Sequence, residues 1–169
     1  MSTRRVFRWI LYFLELLVFF VLQTTPGIVP EICGAKPILL IPAALTIAVF
    51  EGDIGGMTAG IAAGLLIDMG SGGVLGVHAI LLAILCFVSG ALTMQILRTN
   101  LLVVMLTAAV AVPLVILLQW LVFYVFPGYE DAWYVFTTNI LPKIGYTLAL
   151  TPLFYFFNKV VALPLSDAA

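Results

Sequence analysis

The sequence predicts an all-α integral membrane protein, folded as a compact bundle of about six transmembrane helices. Hydrophobic residues make up 64% of the 169 positions and charged residues only 9%, whereas a water-soluble domain carries roughly 25% charged residues. Long apolar runs follow one another from Val6 to Val161, with short polar breaks between them. At ~20 residues for each span, the length accommodates about six spans. Residues 1–169 are therefore predicted to form a single transmembrane domain.

The predicted spans are separated by residues that break helices or carry charge. Arginines precede the first apolar run and no small-residue cleavage site follows it, so we interpret this run as an uncleaved span. Proline and glycine interrupt the next loop, and acidic, glycine-rich and polar turns separate the later spans. The predicted spans are residues 7–22, 37–50, 54–69, 74–97, 101–126 and 135–157.

The second and third spans are short for a hydrocarbon core of ~30 Å. The acidic turn between them is Glu51-Gly52-Asp53. They either cross the bilayer separately or form a re-entrant hairpin whose turn is buried in protein. Both alternatives leave the remaining spans with the same orientation.

The basic residues predict the orientation of the bundle. With a cytoplasmic N-terminus, the chain places Arg4, Arg5, Arg8, Arg98 and Lys159 on the cytoplasmic side and Lys36 and Lys143 on the outer side. Positive charge is enriched in cytoplasmic loops of membrane proteins. We therefore expect both termini to be cytoplasmic.

A small or acidic residue occupies every fourth position through the third predicted span and the turn after it. Glycines four apart remove side-chain bulk from one track of an apolar helix, which allows another helix backbone to approach closely. We expect this track either to close the bundle internally or to receive the helix of a partner protein. Its members are Gly52, Gly56, Gly60, Gly64, Asp68, Gly72 and Gly76.

Two polar residues lie at the end of this track. Asp68 precedes a glycine-rich turn, and we expect its carboxylate to accept hydrogen bonds from backbone amides of residues 71–73; the alternative is an interfacial acid exposed to water. His78 lies in the first turn of the fourth span, where we expect a hydrogen-bonded helix-packing residue. A lone histidine does not provide a metal site.

Glu15 lies deepest in an apolar run, near the middle of the first span. An ionisable group there costs ~2.5–3.5 kcal/mol on insertion scales. Glu15 is therefore a candidate functional residue, with Asn139 and Lys143 of the sixth span as candidate pairing partners. Contact with a partner protein and a role in transport are the alternatives to such pairing.

Few chemical functions are compatible with the other residues. No His, Cys, Asp or Glu group has metal-ligand spacing, and the glycines are not followed by the Lys-Ser/Thr of a phosphate-binding loop. A net charge of −1 gives no indication of nucleic-acid binding. We expect no catalytic residue, no metal and no cofactor.

The motifs around the glycine track resemble the signature of the MreD family of rod shape-determining proteins. That signature is a Gly-x-x-x-Gly-Leu-x-x-Asp segment, a short glycine or serine turn, and a Leu-Gly-x-His/Tyr-Ala helix start. The chain departs from it at Ile38, where the family often has an acid. The matching segments are Gly60-Ile-Ala-Ala-Gly64-Leu-Leu-Ile-Asp68 and Leu75-Gly76-Val77-His78-Ala79, with Gln23, Pro26, Lys36-Pro37 and Phe50-Glu51-Gly52 upstream.

The resemblance implies a non-enzymatic, multi-pass subunit of the bacterial cell-elongation machinery in the plasma membrane. Such proteins bind the single-span protein MreC and, through it, link cytoplasmic MreB filaments to the peptidoglycan synthases. The resemblance also implies a fold similar to the substrate-binding subunits of energy-coupling-factor vitamin transporters.

A true subunit of that transporter class is the alternative function. Its members couple through a small-residue pair, typically Ala-x-x-x-Ala, on the first span. Residues 9–22 of this chain contain no alanine, which favours the scaffold interpretation.

Overall fold

In a computed structural model, the described residues are 3–30, 35–71, 76–95, 101–128 and 131–165. Every regular element in these ranges is helical. Two of these elements are π-helical segments, Leu121–Val125 and Phe136–Ile140. The helices are α1 (Thr3–Thr24), α2 (Leu40–Ser71), α3 (Val77–Gln95), α4 (Leu101–Trp120), α5 (Ala132–Val135) and α6 (Leu141–Leu165).

Five helical stretches of the described chain are long and apolar enough to cross a membrane. The predicted all-α membrane fold is therefore confirmed. The structure has five such stretches and not the expected six spans, because most of the predicted spans 37–50 and 54–69 lies in one helix, α2. The five stretches are Arg5–Thr24, Leu40–Gly70, Val77–Met94, Leu101–Trp120 and Trp133–Ala162.

Helix α2 folds back on itself at Gly52. This residue has φ 83° and ψ −164°, a conformation that glycine adopts without the steric cost of a Cβ. A Cβ built on Gly56 would lie 2.6 Å from the Cβ of Ala48, although residues eight apart in a straight helix are separated by ~12 Å. Residues 40–51 and 53–71 are thus two arms of a tight hairpin, which we call the first and second arms.

The contacts between helices define two ends of the bundle. At one end, Arg8 of α1 pairs with Glu51 at the hairpin bend; we call this the terminal end because it holds the starts of α1 and α4 and the end of α6. At the opposite or distal end, the Gln23 side chain accepts from the N–H of Leu39. A Cβ on Gly70 would contact Phe20 of α1 there. The chain therefore runs the length of the bundle six times, the hairpin arms counting twice.

The first arm forms the centre of the bundle, since residues 40–49 are buried on every side. Its helix begins at Leu40 and not at Pro37 as predicted. The N–H groups of Ile38 and Leu39 donate to Thr147 of α6 and Gln23 of α1. These side chains replace the acceptors that a further helical turn would provide.

The other boundaries shift by a few residues. The predicted fifth span, 101–126, is α-helical only to Trp120 and then π-helical to Val125, and the sixth begins earlier, at Ala132. The predicted start of the fourth span, residues 74–75, lies outside the described residues.

Candidate functional site

The glycine track of α2 lies against α3. A Cβ on Gly56 would lie 2.8 Å from the backbone oxygen of Cys86, and one on Gly60 would lie 2.5 Å from that of Leu82. A Cβ on Gly64 would overlap the backbone of Ala79. Because real Cβ atoms do not approach other atoms this closely, the second arm and α3 pack backbone to backbone.

The bend of the hairpin is covered in the same way. A Cβ on Gly90 of α3 would overlap the carbonyl group of Gly52. Of the two alternatives for the track, the structure therefore shows internal closure along Gly52, Gly56, Gly60 and Gly64. Gly72 lies outside the described residues. Gly76 lies beyond α2, in the turn before α3, where its φ is +102°.

The carboxylate of Asp68 in α2 holds the first turn of α3 by hydrogen bonds to its backbone N–H groups. One oxygen accepts from the N–H of Gly76 at 2.7 Å, and the other accepts from the N–H of His78 at 3.2 Å. Asp68 Oδ1 also lies 2.6 Å from Nδ1 of His78. The side chains are almost fully buried, with exposed fractions of 0% for Asp68 and 3% for His78.

Asp68 thus acts as an N-terminal cap supplied by a neighbouring helix. The first N–H groups of any helix lack intrahelical partners, and a negative charge there interacts favourably with the helix dipole. The sequence predicted donors in residues 71–73, but the donors observed are Gly76, His78 and Ala79. Residues 72–73 lie outside the described chain.

Glu15 is buried between three helices, with 6% of its surface exposed. Its Oε1 accepts from Nδ2 of Asn158 at 3.1 Å, and the same nitrogen lies 2.8 Å from Oγ1 of Thr46. The expected partners, Asn139 and Lys143, were wrong, because both line a cavity at the distal end. Asn158 links α1, the first arm and α6.

This cluster gives a stability prediction. Asn158→Leu removes the donor to Glu15 and Thr46 and leaves buried polar atoms unsatisfied, at a cost of about 1–3 kcal/mol. We expect a lower thermal midpoint in detergent, measured by tryptophan fluorescence. Combining Asn158→Leu with Glu15→Leu and Thr46→Val removes every partner and should restore much of the stability. A midpoint unchanged by Asn158→Leu alone would show that these hydrogen bonds contribute nothing.

An ion pair at the terminal end was not anticipated from the sequence. Oε2 of Glu51 accepts a hydrogen bond from Nη2 of Arg8 at 2.9 Å, and Oε1 of Glu51 lies 2.8 Å from Nε of Arg8. The Glu51 side chain is only 7% exposed. This charge-assisted hydrogen bond joins the start of α1 to the hairpin bend.

Sequence analysis also missed Thr46, Gly90 and Asn158. Thr46 and Asn158 are isolated polar residues in apolar runs, a signal of functional or pairing roles in membrane helices. Gly90 lies in the small-residue triplet Ser89-Gly90-Ala91. Gly90 is the member of this triplet that packs against the hairpin, at Gly52.

These residues make their contacts with neighbouring helices of the bundle. Within the described ranges, no group of three or more His, Cys, Asp or Glu residues could hold a metal ion. Each buried polar contact described above joins two or three helices. The candidate site is therefore a structural one, centred on the α2–α3 contact.

Comparison with known families gives one match. Residues 3–161 match the family described as rod shape-determining protein MreD. No curated protein matches the chain, and no solved structure does. The similarity to energy-coupling-factor subunits thus stays a prediction.

Proposed function

Because this chain belongs to the MreD family of rod shape-determining proteins, we propose that it is a non-enzymatic scaffold that binds MreC in the cell-elongation complex. Membership supports a role in rod-shape determination, and the five span-length helices make it a multi-pass bacterial membrane protein. The finer proposal is that it couples MreC, and indirectly MreB filaments, to the peptidoglycan synthases.

The observation that carries this proposal is the family match over residues 3–161, nearly the whole chain. The burial pattern agrees with it. The conspicuous polar and small residues are occupied by contacts within the bundle, and the outward faces of α1, α3 and α4 are apolar. A protein of this kind acts through the surfaces that it presents to other membrane helices.

The internal closure of the glycine track limits where MreC can bind. Its single helix cannot occupy the track while α3 packs there. We infer that it contacts an outward face of the bundle. Variants of the track are then expected to impair partner binding through loss of the fold.

The distribution of charge supports cytoplasmic termini. Arg5 and Arg8 lie at the terminal end with Glu51, and Lys159 lies there over the ring of Tyr155. Lys36 and Lys143 line a cavity at the distal end. We propose that the terminal end faces the cytoplasm, as the enrichment of positive charge in cytoplasmic loops requires.

Co-purification tests the scaffold proposal. The tagged protein is extracted from its native membranes, and accompanying proteins are identified by mass spectrometry. Recovery of MreC and the elongation synthases is the expected result. Recovery of two ATPases and a coupling transmembrane subunit would instead identify a vitamin importer and overturn the proposal.

A further inference from the structure

Two polar cavities lie at the distal end of the bundle and share two lining residues. One has a volume of about 300 Å³ and the other about 320 Å³, and Gln119 of α4 and Lys143 of α6 line both. We call the combined space the distal cleft. Lys36, Asn139 and Tyr124 add polar groups to its wall.

Lys143 contributes a positive charge to the cleft without an acidic partner in the described part of the chain. Neither ion pair found there includes it, and no acidic side chain among the described residues lines the cleft. A lysine within a membrane-spanning helix is costly unless it pairs or faces water. Its surroundings therefore favour an anion.

Gln119, which lines the same space, has an unmet acceptor. Its Oε1 is buried and has no hydrogen-bond partner within the described structure, although buried polar atoms are nearly always hydrogen-bonded. A ligand that satisfies both residues carries anionic oxygens for Lys143 and a hydrogen-bond donor for Gln119. A phosphate ester with hydroxyl groups has both.

The position and size of the cleft agree with such a ligand. The cleft opens where helices α1 and α4 end, the level of lipid headgroups when the bundle spans a bilayer. A cavity of about 300 Å³ exceeds the space that a single water or ion needs.

We propose that the distal cleft binds a small hydroxyl-bearing phosphate ester, with Lys143 pairing the phosphate and Gln119 accepting from a hydroxyl group. The ester comes either from a lipid headgroup or from a soluble compound. This inference goes beyond the scaffold function and does not depend on it.

Thermal unfolding in neutral detergent tests the proposal. The probes are dihexanoyl phosphatidylglycerol and glycerol 3-phosphate, with dihexanoyl phosphatidylcholine as the control without net charge or hydroxyl groups. At a hundredfold excess over Kd, binding should raise the Tm by roughly 5 °C. A shift with the lipid alone identifies a headgroup site, and a shift with glycerol 3-phosphate as well identifies a soluble source. No shift with either probe, or an equal shift with phosphatidylcholine, overturns the proposal.

Variants separate binding from general stability. Lys143→Met should abolish the ligand-induced shift without lowering the Tm of the free protein, because it removes an uncompensated charge. Lys159→Met, at the terminal end, should keep the full shift. A shift retained by Lys143→Met overturns the proposal. If Lys143→Met does not fold, Gln119→Leu decides the question: it should weaken binding about tenfold, the effect of one hydrogen bond, and unchanged affinity contradicts the assignment.

Discussion

Replacing Gly60 by leucine is expected to abolish the folded bundle. A Cβ at this position would lie 2.5 Å from the backbone oxygen of Leu82 and 3.0 Å from the Cβ of Cys86. Overpacking by side chains that can adjust costs ~1–3 kcal/mol. A clash with backbone cannot be relieved by rotamer changes, so we expect a loss of at least about 3 kcal/mol, a large share of a typical stability.

Size-exclusion chromatography of a fluorescent fusion measures this effect. We expect Gly60→Leu to give little monodisperse protein, and any surviving fraction to have a lowered Tm. The matched control is Gly145→Leu in α6, an exposed position where an added Cβ meets no atom within 4 Å. This control should retain wild-type yield, and its helix should gain slightly from the loss of glycine.

The same pair of variants tests the packing interpretation directly. Wild-type yield and Tm for Gly60→Leu would show that α3 does not pack against the track as described. Normal folding combined with loss of MreC binding would instead place the partner helix on the track. Under the proposed function, we expect folding and MreC binding to be lost together.

Asp68→Ala is expected to produce the second large effect. The substitution removes the acceptor for the N–H groups of Gly76, His78 and Ala79 and for the ring of His78. Each buried donor left unsatisfied costs about 1–3 kcal/mol. Because several are lost together, we expect destabilisation on the order of 3–5 kcal/mol in all. Asp68→Asn should have an intermediate effect, since its amide oxygen still accepts from one donor.

Stability and cell shape are measured in parallel for this position. A plasmid copy carrying Asp68→Ala should fail to restore rod shape to cells that lack their own copy, and the purified variant should melt earlier. Asp53→Ala is the matched control, since the Asp53 carboxylate bonds to the adjacent N–H of Ile54. Equal tolerance of Asp68→Ala and Asp53→Ala would show that the cap is dispensable.

The helical membrane fold and the α2–α3 contact follow from local patterns in the sequence. Long apolar runs predict helices in a bilayer, and four-residue spacing of glycine predicts close packing. The hairpin with its bend at Gly52 was one of two alternatives that the sequence predicted, because the spans on both sides of the bend are short. Asp68 was identified because a carboxylate follows the glycines at the same spacing.

The partners of the polar residues could not be predicted in the same way. Asn158 contacts Glu15 across 143 positions of sequence, and its pairing depends on how α1 and α6 rotate about their axes. Helix rotation is set by packing over the whole bundle, which local periodicity does not describe. The π-helical segment Phe136–Ile140 shifts this rotation further, since each π turn contains an additional residue. For this reason Lys143 and Asn139 were mistaken for neighbours of Glu15.

The hairpin bend at Gly52 also has a consequence for how the nascent chain enters the bilayer. Residues 40–51 span only ~18 Å as a helix, too short to cross a ~30 Å core alone. We expect the insertion machinery to retain the first arm until the second arm and α3 have been synthesised. The arms would then move into lipid with the bend left at the terminal end, its carbonyl covered by Gly90 and its acid paired with Arg8. The two arms and α3 would thus enter the bilayer together as one preassembled helical unit, and not one segment at a time.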